Sequence, residues 1–210
     1  MKAFRYIICL SALLLSVACN GRKADSQTAT QSQLPSSGGT EGGKMLVVFF
    51  SHAGDNYAVG NVKVGNTKRI ADYIAELTGA DLFEVKTDKY DGMAYEPLCD
   101  LAKEEQERGE LPPFEGEPAD LGQYDTVFIG GPVWWGTYPQ VMFTFFNRYD
   151  LNGKTLIPFT THEGSGLGRC VEDVQKAYPE AIVKEAFSIY GHEAREGKEK
   201  VRKWLKGLGL

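Results

Sequence analysis

Residues 44–77 read KMLVVFFSHAGDNYAVGNVKVGNTKRIADYIAEL. Met45 to Phe50 is a short continuous apolar run, the pattern of a central parallel strand buried on both faces. Polar and glycine-rich residues follow: Ser51-His52-Ala53-Gly54, then Gly65-Asn66-Thr67. A helix pattern begins after Thr67, with Ile70, Ala71, Ile74 and Leu77 on one face and Gly79 as a stop. A buried strand feeding a Gly-Asn-Thr turn at a helix start is a ready anion site. Free N–H groups leave the first turn, and the helix dipole favours negative charge there. Ser51 and Thr67 add hydroxyls and Asn66 an amide. The same residues also suit an ordinary helix start, capped by Asn66 or Thr67.

Outward from this stretch, strand and helix patterns alternate. Asp81 to Val85 is a short alternating strand, and Glu96 to Arg108 a helix with Leu98, Leu101 and Ala102 as its apolar stripe. Thr126 to Ile129 is a buried strand running into Gly130-Gly131-Pro132-Val133-Trp134-Trp135-Gly136. Pro139 to Tyr149 is a helix, Lys154 to Phe159 a strand, and Thr160 to Gly168 a glycine-rich loop. Leu167 to Tyr178 is a helix, Ala181 to Tyr190 holds the last strand, and His192 to Leu208 is a charged final helix. Such alternation implies an α/β fold, a parallel sheet with helices on both faces. Parallel sheets bind ligands at the carboxyl ends of their strands, near a switch point. The three unusual loops follow Phe50, Ile129 and Phe159. With strand order 2-1-3-4-5 they end adjacent strands and meet.

The second loop presents two tryptophans on a tight turn, suited to stacking on a flat ring or to packing inward. The third offers close backbone approach and several donors. A phosphate site, an aromatic wall and a rim of amides describe a mononucleotide site of flavin type.

These residues carry a resemblance. The order of Ser51 with Gly65-Asn66-Thr67, then Gly-Pro-Val-Trp-Trp-Gly, then Thr-Thr-His-Glu-Gly-Ser-Gly resembles the flavodoxin-like FMN-binding family over Met45 to Leu208. The resemblance implies a three-layer fold with a five-stranded parallel sheet, and FMN as cofactor. It implies phosphate-loop roles for Ser51, His52, Gly65, Asn66 and Thr67. Pro132, Val133, Trp134, Trp135 and Gly136 match a ring-flanking loop, and Thr161, His162, Gly164 and Ser165 the third loop. One departure is the insertion Gly54 to Val64, expected to bulge outward while its anchors converge, with covering the phosphate as the alternative. The implied activity is electron transfer or oxidoreduction, with a redox partner protein or a small-molecule acceptor. The alternatives are an NAD(P)H-dependent quinone reductase and a tethered binding module without redox chemistry.

Other classes fall away. A receiver domain needs acids where Ser51 and Gly130 stand, and an α/β-hydrolase needs a G-x-S-x-G elbow that is missing. His52, His162 and His192 lack metal-ligand spacing, so no metal is expected.

The chain has 210 residues and a formal net charge of −5. Its first 44 residues hold five basic and two acidic residues, leaving a net of −8 on residues 45–210. An acidic domain argues against nucleic acid. Lys2 and Arg5 precede a mostly apolar segment from Tyr6 to Val17, too short for an ordinary membrane span. It ends in Ser16-Val17-Ala18-Cys19, which resembles a bacterial lipoprotein signal, with Ser16 where Leu is usual. That resemblance implies export and a lipid on Cys19, anchoring the chain to the bacterial cell envelope. Residues 20–44 are polar and read as a flexible tether with a reach of roughly 25–30 Å. Residues 45–210 form the folded domain. Cys99 and Cys170 are expected on helices too far apart for a disulfide.

Overall fold

The computed structural model describes residues 43–210. The expected signal, Cys19 and the tether up to residue 42 lie outside them. The opening strand is β1 (Lys44–Phe49), with Leu46 to Phe49 fully buried. The insertion folds into a hairpin of β2 (Gly54–Asn56) and β3 (Gly60–Val62). Then come α1 (Asn66–Thr78), β4 (Asp81–Glu84), α2 (Tyr95–Arg108), β5 (Tyr124–Pro132), α3 (Gln140–Arg148) and β6 (Thr155–His162). The chain closes with α4 (Cys170–Ala177), β7 (Ile182–Val183), β8 (Phe187–Tyr190), a short 3-10 turn (Gly191–Glu196) and α5 (Lys198–Leu208).

The main sheet runs β4-β1-β5-β6-β7, with β8 also on β6. Every pairing in it is parallel. In the order of the main strands this is 2-1-3-4-5, as the alternation predicts. The fifth strand is split. Thr155 pairs with Ile182 but Phe159 with Phe187, so one extra residue enters the edge strand. Trp204 of α5 holds the break: its indole N–H donates to the Glu185 carbonyl at 3.1 Å, and its ring stacks on Phe187.

Because side chains alternate along a strand, each central strand feeds both faces. Val47, Phe49, Phe128, Ile157 and Phe159 pack under α1 and α5. Leu46, Val48, Val127, Ile129 and Leu156 pack under α2, α3 and α4. Helix α3 lies against both α2 and α4, and Cys99 and Cys170 are free thiols on the two outer helices.

Two helices are shorter than their patterns suggest. Helix α4 starts at Cys170, because Gly164, Gly166 and Gly168 all take positive φ and keep the chain turning. The final helix breaks at Gly197, where a Cβ would lie 2.8 Å from Ile189 Cδ1.

Candidate functional site

The carboxyl ends of β1, β5, β6 and β8 surround one cavity of about 230 Å³. Its first wall is the start of α1. Gly65 is the N-cap residue and supplies no side-chain cap; neither Asn66 nor Thr67 is the cap. Instead Ser51, on the far side of the insertion, accepts from the Lys68 amide at 3.0 Å. Arg69 N donates to the Gly65 carbonyl. The amides of Asn66 and Thr67 remain, and both residues line the cavity. No acidic residue stands in this first turn, so the positive end of the dipole is open to an anion. Gly65 must be glycine here, since a Cβ would sit 2.2 Å from Ser51 Oγ and 2.5 Å from the His52 carbonyl.

Thr67 joins the first loop to the third. Its hydroxyl meets that of Thr161 at 2.7 Å, and both side chains are buried. His52 is 6 % exposed, and its Nε2 is buried with no partner. Burial lowers the His52 pKa, favouring the neutral ring.

Trp134 forms the aromatic wall. Its indole makes edge contacts with Phe50 at 5.5 Å, Tyr90 at 5.3 Å and His52 at 6.0 Å. The Trp134–Thr137 turn closes with two backbone hydrogen bonds of 2.8 and 3.2 Å. Positive φ at both central residues, Trp135 (50°) and Gly136 (86°), is the pattern of a type I′ turn. That turn sends the two indoles apart. Trp135 does not line this cavity: its N–H donates to the Cys99 carbonyl on α2 at 2.9 Å. Gly136 is likewise outside it and links loops instead, accepting from Arg169 N at 2.8 Å. Pro132 and Val133 do line the cavity, with Val133 N donating to the Thr161 carbonyl.

His162 accepts from Gly164 N at Nδ1, at 2.9 Å. The ring proton therefore sits on Nε2, and burial again lowers the pKa. Its ring lies 4.5 Å from that of Tyr190. Ser165 lines the cavity; Gly164 contributes its positive-φ turn and the amide that orients His162. Ser51 and Gly65 act behind the wall, as cap and close-packed turn.

Five further residues line the cavity: Asn56, Tyr57, Tyr95, Glu163 and Gly191. Asn56 and Tyr57 come from the insertion, which turns toward the site rather than only bulging outward. Tyr95 opens α2, and no local pattern links it to the β1 loop. Glu163 was visible inside the third loop. Its carboxylate accepts from the His192 amide at 2.9 Å and meets His192 Nδ1 at 2.7 Å. Gly191 fits between Asn66 and Glu163, where a Cβ would be 2.5 Å from Asn66 Nδ2. Among the described residues, no three His, Cys, Asp or Glu are grouped to hold a metal ion.

A flavoprotein from Lactobacillus acidophilus, solved in complex with FMN, shares the fold at 21 % identity and TM-score 0.55, covering 76 % of this chain and 99 % of its own. A candidate flavoprotein from Bacteroides eggerthii is 28 % identical, covering 80 % of this chain and 99 % of its own, at TM-score 0.61. Another, from Bacteroides uniformis, is 28 % identical over 79 % of this chain and 99 % of its own, at TM-score 0.62. No curated protein matches the chain. A sequence profile of the family described as Flavodoxin matches residues 44–208. By that match, spanning the whole parallel sheet and the three loops at its carboxyl end, the chain belongs to the flavodoxin family.

Proposed function

We propose that this chain is an FMN flavoprotein that moves electrons. The observation that carries the reading is the make-up of one cavity: an acid-free helix N-terminus on one wall and the Trp134 indole on another. The first suits a phosphate, the second a flat ring. The buried, unpartnered Nε2 of His52 supports a polar ligand there. Candidate flavoproteins at 28 % identity fit the same reading.

The isoalloxazine supplies the redox chemistry when bound. The chain's own residues bind and orient. The Asn66 and Thr67 amides would hold the phosphate, without a lysine or arginine in the cavity wall. Pro132, Val133 and Trp134 would flank the ring. His162, with its proton on Nε2, offers a donor at the third loop, while Gly164 N prevents the imidazole from turning. The electrons would pass to a redox partner protein or a small-molecule acceptor.

The test is to add FMN to residues 45–210 and remove the excess. The expected product is yellow, holds about one FMN per chain, bleaches with dithionite and recovers in air. A colourless product refutes the reading.

The proposed place of action is the bacterial cell envelope, through a lipid on Cys19. The apolar segment ending at that cysteine supports it. Cys19→Ala should move the chain from the membrane to the soluble fraction; a wild type without lipid label, and an unchanged distribution, would contradict this.

A further inference from the structure

A second cavity, of about 250 Å³, adjoins the first and shares Trp134, Val133, Tyr95 and Asn56 with it. Its floor is the apolar side of α2, Leu98 and Ala102, both buried. Trp134 and Trp135 give two aromatic walls. The hairpin adds Asp55 and Asn56 to the lining, and α2 adds Tyr95 and Cys99. The hairpin itself is held there by the near-parallel rings of Tyr57 and Tyr95, 5.8 Å apart and tilted by 32°.

Backbone strain occurs in the hairpin and at Trp135. Among the described residues only two non-glycines take positive φ, Ala58 and Trp135. Ala58 sits at the hairpin tip, in a three-residue turn closed by Val59 N on the Tyr57 carbonyl at 2.8 Å. Trp135 walls the cavity directly. Such conformations persist where the surroundings over-determine them, and they cluster at ligand sites. Here Trp135 is fixed by its bond to the Cys99 carbonyl and by Lys103 Nζ, 5.3 Å from its ring centroid.

We infer that this second cavity is a binding site for a flat, non-anionic aromatic molecule. The two indoles set the flatness. Charge sets the rest. Asp55 lines the cavity, in a domain with a net of −8. The nearby cation, Lys103, has Glu107 at 3.9 Å. An anion such as a dinucleotide phosphate is therefore disfavoured. The site rests on the proposed function only for its neighbour: one indole separates this ligand from the proposed flavin.

The probes are 2-naphthol and naphthalene-2-sulfonate, which share a ring system and differ in charge. Equilibrium dialysis against the FMN-loaded protein reads binding, and absorbance reads FMN retention. The expected result is one site for 2-naphthol, at least about tenfold tighter than for the sulfonate, with FMN retained. Ala102→Phe, which fills the cavity, should abolish 2-naphthol binding and keep FMN. Asp55→Asn should narrow the gap between the probes, and it decides the matter if Ala102→Phe does not fold. The proposal is overturned if 2-naphthol does not bind, if it displaces FMN, if Ala102→Phe binds it unchanged, or if Asp55→Asn leaves the gap intact. Protein that binds 2-naphthol at this site but holds no FMN would refute the flavin reading alone.

Discussion

Thr67 and Thr161 each bring one hydroxyl to a buried pair, 2.7 Å apart, between loops 94 residues distant in sequence. Thr67→Val leaves the Thr161 hydroxyl buried and alone, at a cost of roughly 1–3 kcal/mol. Thr161→Val does the same to Thr67. The double substitution removes both polar groups, so it should be more stable than the sum of the two single losses implies. Urea unfolding of the flavin-free protein measures all four forms. Additive losses would mean that the hydroxyls do not depend on one another. Thr67 was legible from its place in a Gly-Asn-Thr turn at a helix start. Its partner's role was not, because a cross-loop contact leaves no local pattern. Trp134 and Trp135 show the same limit. As neighbours they read alike, yet a positive φ at Trp135 aims one indole at the cavity and the other at α2.

At the scale of elements, the start of α1 depends on a residue outside the helix. Ser51 caps the Lys68 amide, and Gly65 leaves room for that approach. Ser51→Ala should cost roughly 0.5–2 kcal/mol, the usual range for a lost cap. Gly65→Ala should cost roughly 1–3 kcal/mol, as overpacking does. The loss should persist in the Ser51→Ala background, because the His52 carbonyl still lies 2.5 Å from the new Cβ. Thermal unfolding of the three variants checks this; a Gly65→Ala form as stable as the parent would mean that the turn is not close-packed. The strands were legible because buried parallel strands are continuous apolar runs. The split of the fifth strand was not, since it depends on Trp204 reaching the Glu185 carbonyl from α5. Nor was the hairpin's course: its sequence marks a turn but not what Tyr57 and Tyr95 do to one another.

The whole molecule brings distant loops together by topology alone. Order 2-1-3-4-5 makes β1, β5 and β6 neighbours, so their carboxyl-end loops must converge. That much followed from counting alternating patterns, and it is why most of the cavity could be named in advance. Tyr95, Asn56 and Gly191 escaped because they reach the cavity from a helix start, an insertion and an edge-strand end. The same topology places an acid-free helix N-terminus on one wall and an indole on another. The central claim is that a flavin phosphate sits at that N-terminus. Titrating FMN and riboflavin into flavin-free residues 45–210, followed by quenching of flavin fluorescence, tests it most directly. Hydrogen bonds to a charged group contribute roughly 1.5–3 kcal/mol, so FMN should bind about tenfold to a hundredfold more tightly than riboflavin. Equal affinities, or no binding of either flavin, would contradict the account.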